Sequence, residues 1–235
     1  MKEKIKKINS LLVKHFGIPY RPKRLPNPID ALIATILSQN TNDKNSYQAY
    51  NNLKKKYKSW QEVADTPRKR IEETIKTAGL GKQKSTTIKK FFITLKKKNG
   101  KLDLGYIRKM SDNEVLNELT EINGIGVKTA SCVLLFSLDR NVCPVDTHVH
   151  RTLNRIGLVK TNSPEKTFYQ INEYLPNGIA HQFHTNLIKL GREICKPAKP
   201  VCSVCPLLEI CKFKEKNPDG IKGIKNNSFL LLDSI

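Results

Sequence analysis

A lysine stands just behind a glycine turn, where it is placed to act as a nucleophile. The stretch Gly124-Ile125-Gly126-Val-Lys128 predicts a tight turn between two helices, and unpaired N–H groups at the start of the second helix suit a phosphate oxygen. Lys128 falls in the first turn of that helix, where the positive end of the helix dipole disfavours a protonated amine. A neutral lysine can attack a sugar aldehyde carbon and form a Schiff base. The alternative is an ordinary helix-helix turn with a surface cation near a phosphate.

An aspartate follows at the predicted start of another helix. Asp146 comes after Pro144 and precedes apolar residues at helical spacing, so we expect it to cap that helix. Its carboxylate is also suited to stabilise a cationic sugar transition state or to activate the nucleophile. His148 and His150 are two positions apart and point to different sides of a helix, so we interpret them as structural.

Four cysteines crowd into one segment near the end of the chain, namely Cys195, Cys202, Cys205 and Cys211. Such crowding indicates one shared metal centre. Four thiolates suit either zinc or a [4Fe–4S] cluster, and the identity of the ligands does not separate the two. Disulfides are disfavoured in a cytosolic chain of this size. Lysines that include Lys199 lie between the cysteines and are placed either to contact a phosphate or merely to solvate a loop.

The charge balance indicates a polyanionic partner. The 235 residues include 42 Lys and Arg against 21 Asp and Glu, a net charge of +21, and nucleic acid is the leading partner for such a field. Lys82–Lys101 holds eight lysines and no acid, and within it we expect Lys84 to contact DNA. The alternative is that the lysines only solvate exposed faces.

Composition excludes several classes of protein. A chain with 38% hydrophobic and 27% charged residues can bury a core and is not disordered. No apolar run approaches the ~20 residues that cross a bilayer, and the N-terminal segment lacks the pattern of a secretory signal. We therefore expect a cytoplasmic protein without a membrane partner.

Helix signals recur along the chain, and no strand alternation is evident. Asn27-Pro28, Ser111 with Glu114, and Ser163-Pro164 are predicted helix starts, because each supplies a capping side chain, with proline at the first helical position or glutamate at the third. Thr66-Pro67 is a further start, and Gly79 is the predicted stop of that helix. The pattern predicts an all-α protein of about nine or ten helices.

The sequence closely resembles the endonuclease III family of helix-hairpin-helix DNA glycosylases. The resemblance rests on three segments taken together, in this order and at these separations: the glycine turn with Lys128, the Val145-Asp146 segment and the four-cysteine loop. The match covers roughly residues 25–215. The resemblance implies two helical lobes that flank a DNA-binding cleft. One is a six-helix barrel with the helix-hairpin-helix over residues 28–140; the other joins residues 1–27 to 141–213 and holds a [4Fe–4S] cluster on the four cysteines. Residues 214–235 form a C-terminal tail.

The resemblance also implies the chemistry. In that family the lysine at the position of Lys128 attacks C1′ of the damaged nucleotide, the aspartate at the position of Asp146 assists, and a Schiff base then allows β-elimination of the strand. Because the target base must leave the helix, other residues must fill the gap. Gln39 and Asn40 in one loop and Leu80 in another are the candidates by position, together with hairpin contacts from Gly124, Ile125 and Gly126 to the DNA backbone.

Two departures from the family pattern bear on the substrate. Asn40 stands where the pattern has Gln, and Gly81 stands where it has an aromatic residue. We expect a base-excision-repair glycosylase with AP-lyase activity on oxidised pyrimidines in duplex DNA, acting as a monomer in the cytoplasm at the nucleoid. The alternatives are a glycosylase for G:T or G:U mismatches, and a non-catalytic iron–sulfur protein that binds DNA.

Overall fold

The protein is built from helices, as the sequence predicts. The computed structural model describes residues 1–217 and 231–235, and these contain eleven α-helices and no strand. The excess over the expected number comes from short helices such as α4 and α5, of six and seven residues. The helices are α1 Lys2–Phe16, α2 Pro28–Ser38, α3 Asp43–Lys56, α4 Trp60–Asp65, α5 Arg68–Thr74, α6 Gly81–Asn99, α7 Asp112–Thr120, α8 Val127–Leu138, α9 Thr147–Ile156, α10 Pro164–Asn172 and α11 Ala180–Lys189.

Three of the predicted helix starts are confirmed by their capping hydrogen bonds. The helix predicted from Thr66-Pro67 to Gly79 instead begins at Arg68 without a side-chain cap and ends at Thr74. The Asn27 side chain accepts from the amide of Ile29 at the start of α2, and Ser163 caps α10 in the same way. Ser111 and Glu114 form a reciprocal capping box at α7, which satisfies amides that a helix start leaves without partners. Gly79, with φ of 67°, ends a short 3₁₀ turn over Lys76–Ala78 that follows α5.

The chain divides into two compact units. Among the described residues, the first unit joins Met1–Arg21 to residues 140–217, and the second holds Pro22–Asp139 with residues 231–235. Of the predicted C-terminal tail over 214–235, residues 218–230 lie outside the described part. Leu231, just after them, is 3% exposed, and its short 3₁₀ turn, Leu231–Asp233, contacts α2 and α3.

The core of the second unit centres on α2, which packs against α8, α3 and α6. Nine of the eleven residues of α2 are buried, so this helix is apolar around most of its circumference. α8 is similar, with a continuous buried stretch from Thr129 to Ser137. The N-terminus of α8 follows the glycine turn directly, so the buried body of α8 holds that turn at a fixed place in the unit.

In the first unit, α1 packs against α11, and α9 packs against both α10 and α11. α11 continues into a π-helical turn, Leu190–Ile194, that leads to Cys195; such turns interrupt regular helix geometry and are often found at functional sites. No helix among residues 1–217 and 231–235 is long and apolar enough to cross a membrane.

Candidate functional site

The glycine turn between α7 and α8 is packed tightly on α6. The amide of Ile125 donates to the carbonyl of Ile122 at 2.9 Å and closes the turn. Gly124 has φ of 97°, and a Cβ there would lie 2.2 Å from Thr87 Oγ1 on α6. Glycine is therefore required at 124 both for its backbone conformation and for its contact. Ile125 is 3% exposed, so its side chain is part of the core.

Gly126 has no such internal constraint. Its φ of −99° and ψ of 176° are open to any residue, and nothing lies within 4 Å of an added Cβ. Its carbonyl accepts from the amides of Thr129 and Ala130, which starts α8. Within the described chain, the amides of Gly126 and Val127 have no hydrogen-bond acceptor. Together they present donors at the positive end of the α8 dipole, beside open space.

Lys128 lies in the first turn of α8, as predicted, and is half-buried. Its carbonyl accepts from Ser131 Oγ at 3.0 Å inside the helix, which keeps the backbone of this turn regular. Lys128 is the lysine one position after the Val127 amide, so its side chain starts from the same helix end as those donors. A second positive charge at this end is disfavoured by the helix dipole.

Asp146 caps α9, and the capping prediction is confirmed. Its Oδ1 accepts from the Val149 amide at 2.8 Å, and its side chain is half-buried. The histidines that follow it make hydrogen bonds within the fold. His150 Nδ1 is 2.7 Å from Thr167 Oγ1, and burial lowers the pKa of His148. Asp146 belongs to the first compact unit and Lys128 to the second.

The loops after α2 and before α6 place their candidate residues in different ways. Gln39 Nε2 donates to the Gly124 carbonyl at 3.2 Å and to Thr129 Oγ1 at 3.3 Å, so its side chain joins the loop after α2 to the hairpin and to α8. Asn40 and Leu80 have φ of 50° and 49°, a left-handed conformation that is uncommon for residues other than glycine and costly for a branched side chain. Asn40 is exposed, and Leu80 is 49% exposed.

Lys84 does not face solvent, so the prediction that it contacts DNA is wrong. Its side chain is 1% exposed, and its Nζ donates to the carbonyls of Leu37 and Ala78, each at 2.7 Å. Burial lowers the pKa of Lys84 to about 8. This burial could not be predicted from the sequence, because Lys84 stands in a run of lysines of which most are exposed.

A pocket adjoins the hairpin and includes residues that the sequence did not single out. It is an open pocket lined by the α6 residues Lys82, Thr86 and Lys90, with Leu80 and Gly124. Lys82 and Lys90 lie on the same basic helix as Lys84 but are exposed. Lys82 and Lys90 share one face of α6 with Thr86 because residues 82, 86 and 90 recur every four positions, whereas Lys84 falls on another face.

The four cysteines of the C-terminal segment line one pocket. Arg155, also in its wall, donates from Nη1 to the Lys196 carbonyl at 2.7 Å, and the same atom is 3.6 Å from Cys195 Sγ. Arg151, one turn earlier on α9, donates from Nε to the Cys195 carbonyl at 3.0 Å. These arginines were not predicted, although their spacing of four residues places them on one helix face.

The chemistry of this pocket fits a metal centre that several thiolates share. Burial raises the pKa of Cys205 to about 11, and the neighbouring thiols act in the same direction; a cation would remove that cost because metal binding stabilises thiolates. Among the residues described, no group of three or more His, Cys, Asp or Glu side chains is arranged to hold a metal ion. Lys199, in the same loop, is exposed and has φ of 52°.

Comparison with known proteins gives the family. Residues 33–177 match the family described as HhH-GPD superfamily base excision DNA repair protein. Endonuclease III of Thermotoga maritima is 34% identical over 89% of this chain and 92% of its own length, and that of Sulfolobus acidocaldarius is 30% identical over 85% and 88%.

Solved structures agree. A non-covalent endonuclease III–DNA complex superposes with a TM-score of 0.76 at 25% identity, covering 90% of this chain and 95% of the other. A trapped covalent endonuclease III–DNA intermediate gives 0.76 at 26% identity, covering 90% and 96%. The fold and the matched residues define a member of the HhH-GPD superfamily of base-excision DNA repair proteins. Within it, the chain belongs to the endonuclease III family. The predictions of this family, of its all-α fold and of a base-excision DNA glycosylase with lyase activity are confirmed at this level.

Proposed function

We propose that Lys128 is the nucleophile with which this glycosylase and lyase releases a base and cleaves the strand. The observation that carries the proposal is the place of Lys128, in the first turn of α8 directly after the open amides of Gly126 and Val127. A phosphate bound to those amides would hold the deoxyribose of the next nucleotide near the same helix end. The α8 dipole favours the neutral amine, which is the reactive form.

The proposed reaction proceeds through one covalent intermediate. Lys128 Nζ bonds to C1′ while the bond between C1′ and the base breaks, and the base leaves with the electron pair and takes up a proton. Opening of the sugar ring gives a Schiff base between Nζ and C1′. Loss of a proton from C2′ then expels the 3′ phosphate by β-elimination, and water hydrolyses the Schiff base to restore the amine.

Asp146 is proposed to act on the developing positive charge of the sugar. A carboxylate held at a fixed place stabilises such a charge more than mobile water does, because the folded protein already orients it and it need not reorganise during the reaction. The Val149 amide that donates to Asp146 Oδ1 holds the carboxylate in one orientation. The helix cap and the catalytic role are therefore compatible.

DNA contacts are proposed for the open hairpin amides, the two strained loops and the cysteine segment. Gly126 supports this because nothing inside the protein requires a glycine there, whereas close approach of a phosphate to the backbone does. Asn40 and Leu80 are exposed side chains on left-handed residues, a strain found at functional sites. Lys199 is proposed as a phosphate contact.

We also propose that Cys195, Cys202, Cys205 and Cys211 hold a [4Fe–4S] cluster. The support is that all four line one pocket and that burial raises the pKa of the Cys205 thiol, a cost that bound iron would offset. When bound, the cluster would cross-link the segment, with no open coordination position for a substrate. Arg151 and Arg155 hold the carbonyls around Cys195 from α9.

The proposed substrates are oxidised pyrimidines in duplex DNA. The proposed place of action is the nucleoid in the cytoplasm, and the proposed active form is a monomer.

The test is borohydride trapping on duplexes that carry thymine glycol, uracil or thymine opposite guanine, 8-oxoguanine, or an abasic site. Wild type and Lys160→Ala, which alters an exposed lysine, should be trapped fastest on thymine glycol, and Lys128→Ala should not be trapped. Fastest trapping on a mismatch would instead give mismatch specificity, and no trapping on any duplex would refute the catalytic proposal.

A further inference from the structure

One buried ammonium joins the ends of two loops in the second unit. Lys84 lies in the first turn of α6, and its Nζ donates to the carbonyls of Leu37 and Ala78, each at 2.7 Å. Burying a charged amine is costly unless it is hydrogen-bonded. Burial alone accounts for the lowered pKa of Lys84. A methionine would fill similar space without that cost, so the two hydrogen bonds are what the lysine adds.

The two acceptor carbonyls stand at equivalent places in their segments. Leu37 lies in the last turn of α2, two residues before Gln39. Ala78 ends the 3₁₀ turn two residues before Leu80. The last carbonyls of a helix have no partner within the helix, and a cation there is favoured by the negative end of the helix dipole. The ammonium of Lys84 therefore caps both segments at once.

The residues beyond these caps are the strained and exposed ones. Asn40 and Leu80 both have left-handed φ, and such a conformation persists only where the surroundings hold it. Three residues after Lys84 on α6, Thr87 packs against Gly124 of the hairpin, and Gln39 donates to the Gly124 carbonyl at 3.2 Å. Lys84 thus connects α6 to the end of α2 and to the turn before α6. Thr87 connects α6 to the hairpin, and Gln39 connects the loop after α2 to the hairpin.

We propose that Lys84 is a positioning residue for base extrusion, which fixes the spacing between the Gln39-Asn40 loop and Leu80 so that both enter the duplex together. This rests on the proposed function, in which these loops occupy the gap that the extruded base leaves. Lys84 contacts no DNA and takes no part in the covalent step. Its loss should therefore slow base release far more than it slows cleavage at a site that has already lost its base.

The experiment compares Lys84→Met with Lys89→Met in single-turnover reactions. Lys89 is a matched control because it also lies on α6 and its Nζ donates to two carbonyls, those of Ala64 and Thr66, at the end of α4. Two rates are measured for each variant: base release from a thymine glycol duplex, and strand cleavage at a preformed abasic site. Circular dichroism reports the folded fraction.

Lys84→Met should slow base release on the order of ten- to a hundredfold, the size of effect that small misplacements produce. Cleavage at the abasic site should change less than about threefold, and Lys89→Met should preserve both rates. Mismatched pairs on either side of the lesion loosen the stack and should restore much of the release rate of Lys84→Met. A role in stability alone would lower both rates in proportion to the folded fraction and would show no such rescue.

If Lys84→Met does not fold, Lys84→Arg carries the same comparison, because it keeps a charged donor but moves it away from the two carbonyls. Equal losses of base release and abasic-site cleavage, or no loss of either, would overturn the positioning role of Lys84. Failure of the wild type to release a base or to cleave the abasic site would instead refute the proposed function. The two failures are thus distinguished by the wild-type reactions.

Discussion

A methyl group on Gly124 would test how the hairpin is built. In Gly124→Ala the new Cβ would lie 2.2 Å from Thr87 Oγ1, at a φ of 97°. The left-handed backbone costs roughly 1–2 kcal/mol for a residue with a Cβ, and overpacking against α6 costs about 1–3 kcal/mol. Gly124→Ala should therefore destabilise the protein by about 2–5 kcal/mol, since both effects act on the same residue.

Thermal denaturation followed by circular dichroism measures this loss. About 1 kcal/mol corresponds to roughly 2–4 °C in Tm for a chain of this size, so Gly124→Ala should lower Tm by at least about 4 °C. Adding Thr87→Ala removes the two nearest atoms, Oγ1 and Cγ2, but leaves Cβ at 3.1 Å and leaves the backbone strain, so it should restore only part of the loss. Gly126→Ala is the matched control, because its Cβ meets nothing within 4 Å, and it should change stability by less than about 0.5 kcal/mol. An unchanged Tm for Gly124→Ala would refute the packing of the hairpin on α6.

Four further predictions follow from the same geometry. Asp146→Asn should keep stability, because asparagine caps a helix as well as aspartate, yet lose most base release. Asp146→Ala should lose base release to the same extent and should in addition lose about 0.5–2 kcal/mol of unfolding free energy; base release by Asp146→Asn at the wild-type rate would contradict the charge argument. The pKa of Lys84 is lowered to about 8 in the folded protein, so above that pH the unfolded chain binds more protons than the folded one. The stability of wild type relative to Lys84→Met should therefore rise from about pH 8 upward. Denaturant titrations in which the two free energies of unfolding differ by the same amount at every pH would oppose this. Cys211→Ser should reduce the iron content and visible absorbance of the purified protein, and an unaltered spectrum with full iron content would argue against Cys211 as a ligand. DNA affinity should fall steeply with salt in fluorescence anisotropy, by roughly 0.9 of a log unit per log unit of salt for each phosphate neutralised, and a flat response would contradict the basic surface.

Local features of the fold were predictable because their causes are local. Asn27-Pro28, Ser111 with Glu114 and Asp146 each start a helix through a bond to an amide two or three residues away, which the sequence displays directly. The glycine turn and the place of Lys128 followed from the same kind of signal. The short helix α4 was not predicted, because six residues give too few turns for a periodic pattern. The helix predicted from Thr66-Pro67 to Gly79 is present as α5 but ends early, at Thr74.

The side-chain contacts that the sequence did not predict join distant parts of the chain. Lys84 and Lys82 are two positions apart in one basic run, but only Lys84 faces the core, and its acceptors lie 47 and 6 residues away. Gln39 reaches the hairpin across 85 residues of chain. Arg155 lies 41 residues before the carbonyl that it holds at the cysteine segment. Nothing in the residues nearby marks these side chains, since tertiary packing decides which face of a helix is buried.

Lys128 is proposed to form the covalent bond to DNA, and mapping the adduct shows which residue forms that bond. Wild-type protein is trapped with borohydride on a thymine glycol duplex, digested with nuclease and protease, and analysed by tandem mass spectrometry. The sugar remnant should be attached to Nζ of Lys128, and Lys128→Ala should give no adduct while it still binds the duplex. A remnant on another lysine or on the N-terminal amine, or an undiminished adduct in Lys128→Ala, would contradict it.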